Sequence, residues 1–143
     1  VHQYLEFAGR HWQLVTALGI VVILIIADEL HRRARSMHEL EPAAAVALVN
    51  RGALIADCRT EQEYARGHIA GARHIPLAEM TERSRELKRK GKRPKPVLAV
   101  GTGSRDAARA ATLLRNAGIE TVFVLKGGIA AWRKDNLPLE RTE

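Results

Sequence analysis

Val97-Leu98-Ala99-Val100-Gly101-Thr102-Gly103-Ser104-Arg105-Asp106-Ala107-Ala108-Arg109 reads as a strand, a tight loop and the start of a helix. Four apolar residues, Val97 to Val100, suit a parallel strand buried on both faces. Gly101 and Gly103 remove Cβ atoms from the turn, so its backbone is free to curl around something small. Ser104 or a residue beside it caps a helix that runs to about Asn116, with Gly118 as its stop. A backbone curled at a helix N-terminus aims several N–H groups at one spot, where the helix dipole favours an anion. Arg105 adds a full positive charge. Gly101, Thr102, Gly103, Ser104 and Arg105 thus have the makings of an anion cradle. Asp106 opposes it, because a carboxylate at the helix start suits the dipole but competes with an incoming anion. Two readings stay open: a weakened anion site, and a loop that only shapes the fold.

On the N-terminal side, Pro42 opens a helix that continues from Ala43 to Arg51 and ends at Gly52. Ala53 to Cys58 is a buried strand. Thr60 caps a short helix, Glu61 to Arg66, that turns Tyr64 inward. Arg73 to Ile75 is a further short strand. Leu77, Met80, Ser84 and Leu87 fall on one side of a helix. On the C-terminal side, Thr121 to Leu125 is a strand and Ile129 to Lys134 a last helix carrying Trp132. Strands alternating with helices imply an α/β domain, a parallel sheet with helices on both faces. Such sheets bind ligands at the carboxyl ends of their strands, where Val100 and Gly101 fall.

Three blocks in this order carry a resemblance. They are Asp57-Cys58-Arg59 with Glu63-Tyr64; Gly67-His68-Ile69-Ala70-Gly71-Ala72 with Ile75-Pro76-Leu77; and Lys126-Gly127-Gly128-Ile129-Ala130-Ala131-Trp132 with Leu137-Pro138-Leu139. Together they resemble the rhodanese-like domain family over roughly Glu39 to Leu139. The resemblance implies a rhodanese-like parallel sheet and, as the family's activity, sulfur transfer through a persulfide on a loop cysteine. Matching Gly103 and Arg105 to that loop puts Val100 where the cysteine belongs, so no catalytic residue is expected. The resemblance also makes Asp57 and Arg59 a structural pair at the base of the site.

Cys58 is the chain's single cysteine. Any persulfide must form there, yet a lone cysteine in a buried strand ordinarily behaves as a small apolar residue. One thiol excludes an internal disulfide, and six histidines without ligand spacing indicate no metal site and no cofactor. Thr102 and Ser104 carry hydroxyls, but no general base is apparent beside them.

The formal charge is +7 over 143 residues. Arg32, Arg33 and Arg35 form one basic cluster, and Glu82 to Lys95 holds eight Lys or Arg against two Glu. Neither has the interleaved aromatics or the motif that nucleic acid would want. Ahead of them, His11 to Ala27 bears no formal charge, and Leu14 to Ala27 is nearly all aliphatic. Seventeen residues at about 1.5 Å each reach about 25 Å, the short end of a membrane crossing. Trp12 suits one interface, as do Tyr4, Leu5 and Phe7 before it.

Three readings compete for this stretch: a buried core helix, a cleaved signal and an uncleaved anchor. A signal wants positive charge before the apolar run and small residues after it, whereas here Asp28-Glu29-Leu30-His31 and the arginines follow. The anchor is the expected reading. Residues 1–35 then form a transmembrane anchor and basic juxtamembrane segment, and residues 36–143 the rhodanese-like domain. Positive charge on the far side places that domain in the cytoplasm on a single-pass protein, and the resemblance implies that the membrane is a bacterial inner membrane. The partners expected are membrane lipid, met by residues 12–30 and by Arg32, Arg33 and Arg35, and a membrane or cytoplasmic protein. The function expected is a non-catalytic binding or regulatory module, with sulfur transfer as the alternative.

Overall fold

The computed structural model describes residues 11–36, 38–88 and 93–142, with the side chains of residues 32–36 excepted. Tyr4, Leu5, Phe7, the side chains of Arg32, Arg33 and Arg35, and residues 89–92 of the basic run lie outside the described residues. The chain divides into two compact units between residues 37 and 38.

The first unit holds helix α1, Trp12–Ser36. Its 25 residues extend about 37 Å at 1.5 Å each. Within it, Trp12–His31 is long and apolar enough to cross a membrane, with a mean hydropathy of 2.1. None of that window is buried in the structure, unlike a core helix. Leu14, Leu18, Ile23 and Ile25 are each more than 60% exposed, so the apolar surface surrounds the helix, as a lipid environment requires.

The second unit is an α/β domain. Its strands are β1 (Glu39–Leu40), β2 (Leu54–Asp57), β3 (Arg73–His74), β4 (Val97–Val100) and β5 (Val122–Leu125). They form one sheet in the order β1-β5-β4-β2-β3, with every pairing parallel. β4 lies at the centre, level with β2 from Leu54↔Val97 to Asp57↔Val100. All four of its residues are buried, as the unbroken apolar run predicts.

Helices cover both faces. On one, Ala107, Ala110, Ala111 and Leu114 of α5 (Ser104–Asn116) pack with Met80, Leu87, Ala99 and Val122. On the other, Ala45 of α2 (Pro42–Asn50) and Ile129 and Trp132 of α6 (Gly128–Lys134) pack with Ile55, Leu98, Val100 and Leu125. Tyr64 of α3 (Glu61–Arg66) joins this second cluster.

Two expectations change in detail. Leu77 to Leu87 is not one helix but a 3-10 turn, the single α-turn α4 (Met80–Arg83) and a second 3-10 turn, Ser84–Leu87. Met80, Ser84 and Leu87 are nevertheless buried. The 3-10 turn at each end breaks the helical run while the segment keeps its apolar side. At α5 the N-cap position is Gly103, with no side-chain cap, so the Ser104 hydroxyl is free for another bond.

Candidate functional site

The strand order creates a switch point. β2 sends its connection through α3 to one face, and its neighbour β4 sends its own through α5 to the other. A crevice between diverging connections is where parallel sheets place ligands. The loop Gly101 to Gly103 and the segment Cys58 to Thr60 lie at this point, because Val100 pairs with Asp57. The Cys58 N–H donates to the Val100 carbonyl at 2.9 Å.

The loop is tightly curled. A Cβ at Gly101 would stand 2.9 Å from the Ala107 nitrogen and 3.0 Å from the Gly103 oxygen, so glycine is required there. From the other side, the Ile129 N–H donates to the Gly101 carbonyl at 3.0 Å. The Gly127 N–H donates to the Ser104 hydroxyl at 2.7 Å. Gly128 has φ +59°, and a Cβ on it would come within 2.5 Å of the Gly101 oxygen. The Gly127-Gly128 pair, quoted above only as part of a block, therefore clamps the loop. A double glycine before a helix was the available signal.

Val100 points its side chain into the apolar cluster with Ile55, Leu98, Leu125 and Ile129, and is fully buried. Burial of such a side chain stabilises the fold by about 1.5 to 3 kcal/mol. It offers the crevice no reactive atom. Cys58 is also buried, but on the opposite face, with Ala56, Ile75 and Ala107. Its thiol is pushed up from 9.0 to about 12, first by burial and then by the charges of Asp57 and Asp106. A thiol so raised is protonated at neutral pH and a poor nucleophile.

Acidic groups border the loop. The Thr102 hydroxyl donates to Glu63 Oε1 at 3.2 Å, which ties the loop to α3 across the crevice. Glu63 also closes a capping box with Thr60: the Thr60 N–H donates to Glu63 Oε2 at 3.1 Å and the Glu63 N–H donates to Thr60 Oγ1 at 3.4 Å, while Thr60 Oγ1 itself donates to Glu63 Oε2 at 2.8 Å. These Thr60 bonds hold the carboxylate below its ordinary range, so it is charged at neutral pH. Arg105 is exposed and Asp106 follows it in the first turn of α5. The cradle thus has glycine geometry and one arginine, but two carboxylates, and both its hydroxyls, Thr102 and Ser104, are already engaged. The Glu63–Thr102 contact joins residues 39 apart, and nothing in the sequence pattern points to it.

Asp57 and Arg59 form a buried, two-pronged ion pair: Nε to Oδ1 is 3.0 Å and Nη2 to Oδ2 is 2.7 Å. Arg59 also donates to the carbonyls of Gly67, at 2.8 Å, and Glu63, at 3.2 Å. The pair therefore fastens the middle of α3, at Glu63, and its C-terminal end, at Gly67, to β2. His68 bridges by its backbone to Glu140, at 2.8 and 2.7 Å, and its ring stacks on Tyr64 with centroids 3.9 Å apart. Among the described residues no cluster of three or more His, Cys, Asp or Glu is placed to hold a metal ion.

The sequence profile of a family described as "Rhodanese-like domain" matches residues 41–135. The chain is 29% identical to the Escherichia coli uncharacterized protein YibN over 142 residues, which span 99% of both chains. It is 32% identical to the thiosulfate sulfurtransferase GlpE of Pseudomonas entomophila over 66% of this chain and 83% of that one. Among solved structures, a domain from Anabaena superposes with a TM-score of 0.64 at 30% identity, covering 73% of this chain and 80% of that chain.

Proposed function

This chain belongs to the rhodanese-like domain family, and from that premise we propose that it is a non-catalytic member, a protein-binding or regulatory module anchored at the cytoplasmic face of a bacterial inner membrane. The observation that carries this is Val100, an aliphatic side chain turned into the core at the mouth of the loop where a sulfur nucleophile would stand. Sulfur transfer needs a thiolate within reach of the loop amides and Arg105. The single thiol, Cys58, is buried on the other face of the sheet with its pKa raised.

The anchor in this reading is α1, with Arg32, Arg33 and Arg35 beside anionic headgroups and the positive side cytoplasmic. The unspent surface of the loop, with exposed Thr102 and Arg105 and the Glu63 carboxylate, offers a small polar patch for a protein partner.

A second reading, thiosulfate sulfur transfer, is supported by the likeness to the GlpE enzymes. One experiment separates the two. The full chain in detergent is assayed for thiocyanate formation from thiosulfate and cyanide, beside Cys58→Ser. The binding reading expects no rate above buffer from either protein. A rate in the parent chain that Cys58→Ser abolishes would establish sulfur transfer through residue 58. A rate that survives in Cys58→Ser would show that another group carries the chemistry. Either would overturn the non-catalytic reading.

A further inference from the structure

Every strand of the sheet runs the same way, so the domain has two unlike ends. The carboxyl end holds the loop, Glu63 and Asp106. The amino end gathers basic side chains from four separate elements. Arg51 closes α2 immediately before β2. Arg93 and Lys95 precede β4, and the Leu54 N–H donates to the Pro96 carbonyl at 2.9 Å, which holds this segment beside the start of β2. Lys88 donates to the Ala117 carbonyl at the end of α5, and Arg115 donates to the Val122 carbonyl at 2.9 Å. Lys88, Pro94 and Lys95 share a shallow open hollow with Gly118, Ile119 and Glu120. Arg51, Lys88, Arg93 and Arg115 are exposed, and Lys95 is half-buried. Glu120 is the acidic side chain in the hollow's lining.

β1 points in the same direction as the other strands, and the Val124 N–H donates to the His38 carbonyl at 2.8 Å. His38 thus lies on the amino side of β1 within the domain. We propose that the amino end of the sheet docks on anionic lipid headgroups through Arg51, Lys88, Arg93, Lys95 and Arg115, leaving the Gly101–Arg105 loop facing away from the membrane and open to a partner. This rests on the anchored reading above and adds an orientation to it. The chemistry fits a lipid surface. The basic groups are spread over a rim, are not interleaved with aromatic side chains, and need no shaped pocket for a diffuse layer of phosphates. Each basic side chain close to such a surface contributes about fivefold to association.

The test uses the full chain in nanodiscs of zwitterionic phosphatidylcholine, with or without anionic phosphatidylglycerol. A single environment-sensitive dye is attached through Glu120→Cys or through Arg105→Cys, with Cys58→Ala in both. Headgroup spin-labelled lipid serves as quencher. In anionic discs the residue 120 dye should be quenched strongly and the residue 105 dye little. The difference should vanish in zwitterionic discs and at high salt, where screening shortens to a few ångströms. Arg51→Gln, Arg93→Gln and Lys95→Gln together should lower the docked-to-free ratio by roughly a hundredfold. Equal quenching at the two positions in anionic discs, or stronger quenching at 105, would overturn the docking while leaving the anchor intact. A chain that failed to enter the discs would overturn both.

Discussion

Val100 ends β4 and Cys58 directly follows the neighbouring strand β2, yet their side chains go to opposite faces of the sheet. That parity puts the thiol in the apolar cluster beneath α5, with Ala56, Ile75 and Ala107, and not in the cluster that holds Val100. The consequence for Cys58 is measurable. In the folded chain its pKa is about 12, against 9.0 ordinarily, with burial as the main cause. At a mildly alkaline pH the folded thiolate fraction is roughly a thousandfold smaller than that of a free thiol. Iodoacetamide should therefore label the native protein very slowly and the denatured protein at the usual rate. A raised thiol pKa favours the protonated, folded form. Its stabilisation is complete below pH 9.0 and is lost as pH rises towards about 12. The unfolding free energy should fall across that window by at most about 1.4 kcal/mol per pH unit, the limit for one proton, and Cys58→Ala should remove this part of the slope. An identical slope in the variant would show that the thiol titrates normally.

The short helix α3 is held at both ends by side chains rather than by its own length. Six residues are too few to be stable alone. The Thr60–Glu63 capping box secures its start and the Asp57–Arg59 pair its finish. Thr60→Ala should cost about 1 kcal/mol, read as a lowered denaturation midpoint. It also removes the leading cause of the depressed Glu63 pKa. A carboxylate with a lowered folded pKa stabilises above its unfolded pKa, and that stabilisation is lost as pH falls through the folded value. The penalty of Thr60→Ala should therefore shrink in acid. A penalty that stayed constant down to the pH of full carboxyl protonation would mean that Glu63 has no part in the cap. The same carboxylate holds Thr102, so α3 and the β4–α5 loop are coupled through one side chain.

The molecule joins an apolar helix to a domain whose own core is complete. Two apolar clusters, one on each face of the sheet, use only residues from Leu40 onward. Nothing in them depends on α1, so deleting residues 1–30 should leave a folded domain and move it to the soluble fraction. Fractionation after a high-salt wash checks this, since salt removes any attachment through the basic rim alone. Material still bound to membrane after the wash would mean that the domain itself inserts, against the polar surface it presents.

The alternation of strands and helices, the parallel sheet and the apolar helix were legible from residue order, whereas the Asp57–Arg59 pair was only implied by the resemblance. Each depends on contacts within one segment or on a recurring block. The buried run Val97 to Val100 and the inward Ala107, Ala111 and Leu114 followed from periodicity, which local backbone geometry imposes. What folding alone settled was which groups meet at the loop. The Glu63–Thr102 bond, the clamp of Gly128 on Gly101 and the opposite facing of Cys58 and Val100 join positions far apart in the chain. No periodicity encodes such meetings. They arise when a sheet of fixed strand order brings its carboxyl ends together, and there the packing of each side chain selects its neighbours.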